Sequence, residues 1–312
     1  MKSKIEHYSI IFNPTAGKGK AQKKLPIIKQ FFSDNKLNYS LHITERIGHA
    51  INLSESLYKK PNSAVIAVGG DGTVNEVING LMLSKSKNPS LSPVFGVIAA
   101  GRGNDFAFGA GVPEQLDKCL DLMITGVVKP LDIGLIKGEK YPDGRYFGNG
   151  IGVGFDTIVG LEAAKLKHIH GAAAYLYSAI KTIITYPEAP QVEMSLNEIP
   201  GTYTPILISI MNGRRMGGQF FMAPEAENND GLLDLCMTKQ GTRLKLLKTM
   251  LHYMKGTQSK LDNTEIARIA NIKIEAIKGD MAVHADGETF CEKCKALEID
   301  CIPKGLSIIT EK

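Results

Sequence analysis

Residues 64–76, AVIAVGGDGTVNE, limit the fold of this chain more than any other stretch. The apolar half is typical of a buried parallel strand, and a helical pattern starts at Val74, directly after the glycines. Glycine permits a tight turn and a close backbone approach to a ligand. The N–H groups at a helix start attract anions, and Asp71 adds a carboxylate that suits a cation arriving with phosphates. An ordinary strand-turn-helix explains the stretch alone equally well.

Two further glycine-rich turns follow predicted strands in the first third of the chain. The strand over residues 8–12 runs into residues 13–17, NPTAG, and the strand over residues 95–99 runs into residues 100–106, AGRGNDF. A short strand is predicted over residues 41–44, with helices between the strands. This alternation predicts a doubly wound parallel sheet with all three glycine turns at one edge. We therefore expect a nucleotide-binding α/β domain.

The pattern becomes β-rich after residue 131. A hairpin turn is predicted at residues 141–145, from its Pro-Asp-Gly composition. The predicted strands cover residues 191–196, 204–211, 232–237, 270–276, 281–285 and 297–302, and the predicted helices cover residues 171–186 and 244–255. The sequence thus predicts domains over residues 1–131 and 132–302, the second a mostly antiparallel β-sandwich. A cleft is expected between the domains, and residues 303–312 are expected to return to the first as a strand.

Composition narrows the functional classes. The formal charge of +5 suits an anionic ligand or membrane surface and is too weak to favour nucleic acid. No apolar run reaches the length of a membrane span, and the first residues lead directly into a strand, so we expect a cytoplasmic protein. Five cysteines, with one Cys-x-x-Cys at Cys291 and Cys294, are expected to be reduced thiols.

Together the motifs resemble the diacylglycerol kinase catalytic-domain family, which includes sphingosine and ceramide kinases and bacterial lipid kinases. The resemblance rests on residues 13–17, 69–76 and 101–106, and it continues through residues 223–231 and 284–288. It implies a phosphofructokinase-like first domain and ATP in the cleft. The residues that it places along the nucleotide are Asn13, Pro14, Thr15, Ala16, Gly17, Thr44, Gly70, Asp71, Gly72, Thr73, Val74, Asn75, Glu76 and Arg102. Arg102 stands where the bacterial members often have Thr, and could instead pair with a phosphate.

Phosphorylating a hydroxyl requires an acceptor for its proton. We expect Asp286 to be this base, with Glu288 as the alternative and Asp71 orienting Mg²⁺. Without the family match, Asp286 and Gly287 would be read as an ordinary turn.

Residues 227–232, ENNDGL, predict either a metal loop or a simple Asn-Asp-Gly turn. The resemblance implies a structural Mg²⁺ held by the Asp230 carboxylate and by the carbonyls of Glu227 and Leu232. Family members often carry Asp where this chain has Asn229.

The sequence therefore predicts an ATP-dependent lipid kinase, most directly one that converts diacylglycerol to phosphatidic acid. The alternatives are an NAD kinase-like enzyme and a catalytically silent nucleotide-binding regulator. A lipid alcohol substrate implies transient peripheral contact with the inner membrane surface. The sequence leaves open whether the chain forms a homodimer. The side chains considered for the membrane contact are Lys165, Lys167, His168, Ile169, His170, Tyr175, Arg214, Arg215, Phe220 and Phe221. A solvated face is the alternative for them.

Overall fold

A computed structural model describes residues 5–58, 62–166, 172–185, 189–196 and 198–312. The chain forms two units, one of Met1–Ile133 with Pro303–Lys312 and the other of Gly134–Ile302. The division falls two residues after the predicted boundary, and it places the last ten residues in the first unit.

The first unit is built on a parallel sheet of order β2-β1-β3-β4. Its strands are β1 (His7–Phe12), β2 (Tyr39–Ile43), β3 (Ser63–Gly69) and β4 (Val94–Ala99). Its helices are α1 (Leu25–Asp34), α2 (His49–Leu57), α3 (Asp71–Lys87), α4 (Asp105–Gly109) and α5 (Leu116–Thr125). The predicted doubly wound sheet is confirmed. A 3-10 turn at Lys20–Lys24 precedes α1, which begins only at Leu25 because Pro26 fits the first turn of a helix and not its interior.

The last residues of the chain belong to the first unit. In β16 (Ala296–Thr310), Ser307 pairs in parallel with Val94 of β4. The Lys304 N–H donates to the Asp132 carboxylate (2.7 Å), and the Thr310 hydroxyl donates to the Ala110 carbonyl (2.7 Å). Side-chain and main-chain bonds together hold this segment in place.

The second unit contains an antiparallel sheet of order β12-β11-β10-β7-β14-β15, and further antiparallel strands form its other layer. The strands are β5 (Val127–Gly138), β6 (Tyr141–Phe147), β7 (Gly150–Gly154), β8 (Gln191–Leu196), β9 (Ile199–Tyr203), β10 (Pro205–Met211), β11 (Leu233–Lys239), β12 (Thr264–Ile269), β13 (Asn271–Lys278), β14 (Met281–Ala285) and β15 (Glu288–Cys294). The helices are α6 (Phe155–Ala164), α7 (Ala172–Thr185) and α8 (Arg243–Lys255). Side chains such as Ile208, Ile274 and Leu297 fill one core between the layers, so the predicted β-sandwich is confirmed.

The predicted turn at residues 141–145 is wrong. Glu139 and Lys140 make the turn, and the Pro-Asp-Gly segment lies inside β6, where Gly144 adopts φ +90°. Turn-forming residues are tolerated there because β6 pairs along one side only, with β5. The sequence reading also missed α6, β9, β12 and β15.

Cys291 and Cys294, expected as reduced thiols, are paired as a disulfide in β15, with Cα atoms 5.8 Å apart. Cys119 and Cys236 are buried free thiols.

Gly134 provides space that the second core needs. It lies opposite Phe147 across β5 and β6, and a Cβ atom at Gly134 would come within 2.0 Å of the ring of the fully buried Phe147. Gly134→Ala should therefore lower the free energy of unfolding by about 1–3 kcal/mol, measured by urea denaturation. Gly160→Ala in α6 is the matched control, since a Cβ atom there meets nothing within 4 Å. We expect this control to be neutral or stabilising by up to about 1 kcal/mol. Equal loss in both variants would contradict the steric explanation.

Candidate functional site

The three predicted glycine turns follow β1, β3 and β4, which are parallel neighbours, so they lie at one edge of the first unit's sheet. Hydrogen bonds join them directly. The Asn13 N–H donates to the Val68 carbonyl (3.0 Å), and the Ala100 N–H donates to the Gly69 carbonyl (2.8 Å). The Asn13 side-chain amide donates to the Thr73 hydroxyl (2.9 Å). The loops therefore form one connected rim at the end where such sheets bind ligands.

Glycine is required where these loops touch. A Cβ atom on Gly70 would lie 2.9 Å from the Gly101 Cα atom, and one on Gly101 would lie 2.4 Å from the Gly70 Cα atom. Gly17 has φ +59°, and its Cβ atom would lie 2.8 Å from the Ala100 carbonyl oxygen. The rim is therefore lined by main chain, and main-chain N–H groups are the donors that cradle phosphates.

Asp71 begins α3 and links it to the loop after β4. Its Oδ1 atom accepts a hydrogen bond from the Phe106 N–H (3.1 Å), and a Cβ atom on Gly103 would lie 3.0 Å from Oδ2. This arrangement fixes a carboxylate at the start of a helix in the first unit. Its charge suits a metal ion better than it suits a bare phosphate.

Two other residues predicted to line the nucleotide, Thr15 and Thr44, are held by local hydrogen bonds. Thr15 donates both its N–H (3.0 Å) and its hydroxyl (2.8 Å) to the Asn13 side-chain oxygen Oδ1, which forms a local turn around Pro14. The Ala16 N–H donates to the Asn13 main-chain carbonyl (3.3 Å). The Thr44 N–H donates to the Phe12 carbonyl (2.9 Å), which places Thr44 beside the end of β1.

Arg102 is exposed and has no ion-pair partner among the residues that the structure describes. Gly72 lies in the first turn of α3, between Asp71 and the buried Thr73.

Three further residues predicted to line the nucleotide face away from the glycine-lined rim: Val74, Asn75 and Glu76. Val74 and Asn75 are buried within α3. Both carboxylate oxygens of Glu76 accept main-chain N–H groups at the start of α2, from Gly48 (2.8 Å) and Ala50 (3.0 Å). These side chains therefore stabilise the helix that carries part of the rim, and Glu76 caps α2.

In the second unit, the Asp286 carboxylate is held by main-chain N–H groups. Oδ2 accepts from Gly148 (2.8 Å), and Oδ1 accepts from Asn149 and Gly150 (both 2.9 Å). Asp286 has φ +47°, and its own N–H donates to the Gly150 carbonyl (2.9 Å). Glu288 is exposed at the first position of β15. Of the two acids, Asp286 is the one with a fixed geometry.

A buried acid that the sequence reading missed lies close by in the second unit. Asp156 Oδ2 lies 3.2 Å from His284 Nε2, and Oδ1 accepts the Thr157 N–H (2.8 Å). Gly152 makes room for it, because a Cβ atom there would lie 1.8 Å from Oδ2. The glycines at 150, 152 and 154 were the available sequence signal, but the pairing with His284 spans 128 residues and leaves no local pattern.

Asp156 lines an apolar cavity that opens to solvent, entirely within the second unit. The other lining residues are Phe155, Ala179, Ile183, Ile206, Leu207, Met216, Phe220, Met222, Thr238, Leu246, Thr249, Met250 and Tyr253. The Tyr253 hydroxyl bonds Thr238 (2.8 Å), and burial raises the pKa of Tyr253 well above its usual value. Asp156 is therefore the acid in a wall that is otherwise apolar or neutral.

The predicted metal loop forms a turn. Asp230 Oδ1 accepts the Leu232 N–H (3.0 Å), and the Arg268 guanidinium pairs with the same carboxylate. This is the hydrogen bond of an Asn-Asp-Gly turn, which was the alternative to a metal site. Among the described residues there is no group of three or more His, Cys, Asp or Glu side chains placed to hold a metal ion.

Asp234 nonetheless indicates that the loop suits a cation. Its Oδ2 atom is buried without a hydrogen-bond partner in the described structure, and Arg268 Nε lies 3.9 Å from Oδ1. Burial, with the charges of Glu225 and Glu227, raises the pKa of Asp234 to about 6. Oxygen donors with an uncompensated buried acceptor are the chemistry that Mg²⁺ prefers, so these residues fit the ion.

The side chains considered for a membrane contact have mixed outcomes. Phe220 is buried against the cavity, which contradicts its insertion into a bilayer. Arg214 donates to the Ala226 carbonyl (3.1 Å), and Lys165 pairs with Glu162 (2.5 Å). Residues 167–170 and the side chain of Tyr175 lie outside the described residues. In the described chain, no helix has both the length and the apolar character needed to cross a membrane.

Two family models together match most of the chain. Residues 7–136 match the diacylglycerol kinase catalytic domain, and residues 149–310 match the YegS C-terminal NAD kinase beta sandwich-like domain. A diacylglycerol kinase from Bacillus subtilis is 29% identical over 282 residues, which cover 89% of this chain and 88% of the relative. A probable YegS-like lipid kinase from Pectobacterium atrosepticum is 32% identical over 267 residues, 85% of each chain.

Solved structures share the two-domain fold. A diacylglycerol kinase from Bacillus anthracis superposes with a TM-score of 0.72 at 21% identity, covering 99% of this chain and 98% of its own. Yeast NADH kinase complexed with NADH superposes with a TM-score of 0.53 at 10% identity, covering 98% and 84%. The sequence relatives carry the assignment: this chain belongs to the diacylglycerol kinase family, with the catalytic domain and the YegS-type C-terminal domain of its bacterial lipid kinases.

Proposed function

We propose that this kinase transfers the γ-phosphate of ATP to the free hydroxyl of diacylglycerol and forms phosphatidic acid. The observation that carries the proposal is the apolar cavity of the second unit with one acid, Asp156, in its wall. An acyl chain suits such a lining, and the acid suits a hydroxyl. The dinucleotide NAD is a polar and charged acceptor, so this cavity favours the lipid over the NAD kinase-like alternative.

The glycine-lined rim of the first unit is proposed to bind ATP. The main-chain N–H groups of Gly17 and of residues 70–73 are the phosphate donors, and Arg102 is the exposed cation available for a phosphate oxygen. Because Gly70 and Gly101 are in contact, the rim is already shaped before ATP binds. Less conformational freedom is then lost on binding.

Asp286 is proposed to accept the proton of the acceptor hydroxyl. The hydroxyl oxygen forms a bond to the γ-phosphorus, the bond between the γ-phosphorus and the β–γ bridging oxygen breaks, and ADP leaves. The three main-chain N–H donors hold the carboxylate in one orientation. Asp156 is proposed to accept a hydrogen bond from the lipid hydroxyl at the cavity wall.

Mg²⁺ bound with ATP would neutralise the charge on the transferring phosphoryl group. Asp71 is the residue proposed to orient it. A separate structural Mg²⁺ is proposed at the Asp230 carboxylate and the carbonyls of Glu227 and Leu232, with Asp234 as an added oxygen donor.

The reaction product and substrate are lipids, so we place the enzyme in the cytoplasm, in transient contact with the inner membrane surface. The proposal also includes a homodimer, which a measurement of the assembly state would test.

The acceptor can be tested with radiolabelled ATP, Mg²⁺ and the purified chain. We expect label in phosphatidic acid from dioctanoylglycerol, with turnover at least tenfold above that with NAD or NADH. Preferential labelling of NAD would favour the alternative enzyme. Absence of transfer to any acceptor, with ATP still bound, would favour the silent regulator.

Asp286→Asn should lower turnover by about 10²- to 10⁴-fold, since it removes the proton acceptor. ATP affinity should stay within about twofold, measured by calorimetry. Glu288→Gln is the matched control, because Glu288 is exposed and should keep near-normal turnover. Thermal unfolding of both variants checks that the turn at residues 148–150 survives. Normal turnover of Asp286→Asn would remove Asp286 from the base role, and loss in Glu288→Gln alone would transfer that role.

Asp71→Asn separates two roles of one side chain. Asparagine keeps an oxygen that can accept the Phe106 N–H, but it lacks the charge that orients Mg²⁺. We expect turnover to fall by at least about 10²-fold, with the unfolding temperature little changed. Asp71→Ala should lose both the activity and some stability. If Asp71→Asn retains activity, the carboxylate serves only to position the loop after β4.

A further inference from the structure

Helices α7 and α8 leave large apolar side chains exposed on their outer faces. The exposed fractions are 50% for Tyr177, 58% for Ile184, 78% for Leu244 and 54% for Leu251, and Ile180 is 40% exposed. Single exposed apolar residues are common on proteins, whereas groups of them mark interaction surfaces. We call this group, with Lys248 and Lys255, the α7–α8 outer face.

The outer face of α8 is opposite the face that lines the cavity. Leu246, Thr249 and Tyr253 line the cavity. At 100° per residue, Leu244, Lys248, Leu251 and Lys255 project from the other side of the helix. The exposed leucines continue the apolar arc of the helix outward from the partly buried Leu247 and Met254.

The two outer faces point to the same side of the second unit. The helices pack on each other, and both line the cavity together with Leu207 of β10 and Thr238 of β11. Both helices therefore cover one face of that sheet, and their outer sides are directed away from it.

The charge on the two helices has one sign. Residues 172–185 and 243–255 contain five Lys or Arg residues and no Asp or Glu. Lys245 pairs with Asp262 (2.9 Å), and Lys181 pairs with Glu162 (2.6 Å). Arg243, Lys248 and Lys255 have no ion-pair partner in the described part of the chain. Cations interspersed with exposed leucines are typical of a surface that lies at a bilayer interface.

We propose that the α7–α8 outer face docks on an anionic lipid bilayer. The inference rests on the proposed function, because a bilayer is where diacylglycerol resides, and it specifies the surface through which that substrate is reached. The same helices that would touch the membrane also form the wall of the cavity, so a lipid need cross only a short distance. A second copy of the chain fits less well: a two-fold interface would place these cations against their own copies.

Vesicle sedimentation tests the surface. The probes are vesicles of phosphatidylcholine alone and of phosphatidylcholine with 30% phosphatidylglycerol, used with the intact chain. We expect binding to the anionic vesicles, about 25-fold weaker for Lys248→Gln/Lys255→Gln, from about fivefold for each cation. Leu244→Gln/Leu251→Gln should weaken binding by at least about tenfold.

Matched controls carry the same substitutions elsewhere. Ile199→Gln/Ile277→Gln replaces side chains that are 67% and 50% exposed, and Lys118→Gln/Lys129→Gln removes two exposed cations of the first unit. These controls should bind like the wild type. Equal binding of all variants, or no binding by the wild type, would overturn the proposal. So would dimers, seen by analytical ultracentrifugation, that are lost in Leu244→Gln/Leu251→Gln.

Water-dispersed dioctanoylglycerol separates this inference from the proposed function. The two surface variants should phosphorylate it at the wild-type rate, because neither touches the cavity wall. If the wild type fails to phosphorylate it while vesicle binding follows the predicted order, the lipid kinase proposal fails and the docking surface stands. If the surface variants also lose this activity, their substitutions disturb the fold of the protein, and the docking proposal is overturned.

Discussion

The contact between Gly70 and Gly101 is the constraint on which the first unit's site depends. Two main chains meet where neither residue can carry a Cβ atom, and this closes the ends of β3 and β4 onto each other. Asp71 follows Gly70, so the same contact brings its carboxylate within reach of the Phe106 N–H. A side chain at either glycine would separate the loops and move Asp71 with them. The glycine-lined rim and the acid beside it are therefore one structural unit.

Three of the acids that the sequence assigns to ligands share one further property. Asp71, Glu76 and Asp286 each accept main-chain N–H groups from a different segment of the chain. For Glu76 this uses both oxygens and explains the residue fully as a cap. Asp286 accepts three N–H groups from a single turn and is held still by them. Anchoring of this kind is what a catalytic carboxylate requires, because a fixed orientation lowers the entropy lost on reaching the transition state. Structural and chemical roles are thus compatible in Asp286, and in Glu76 the structural role is sufficient.

Local pattern was enough to predict the parallel sheet, the sandwich and the return of the last strand. It failed where contacts distant in sequence decide the outcome. Pro142, Asp143 and Gly144 have the composition of a turn, yet they lie inside β6, in an irregular stretch between the pairs that Tyr141 and Arg145 make with β5. The glycine run before Asp156 reads as a loose strand, whereas its actual role is to accommodate a carboxylate that meets His284 from 128 residues away. The pairing of Asp230 with Arg268 is equally invisible in sequence, since it joins two side chains that are 38 residues apart.

Helix α8 shows why periodicity alone could not reveal the outer face. Its apolar residues occupy about half of the helix circumference, from Tyr253 round to Leu244, so the pattern of residues 243–255 identifies a helix without showing which part of that arc is buried. A continuous apolar arc is ordinarily expected to be the buried side. The 78% exposure of Leu244 excludes full burial for α8, and the fully buried hydroxyl of Tyr253 excludes a helix that merely lies on the surface. Two apolar environments on opposite sides satisfy both observations, one inside the second unit and one outside it. The four Lys and Arg residues of this helix, with no acid among them, then favour an anionic environment on the outer side.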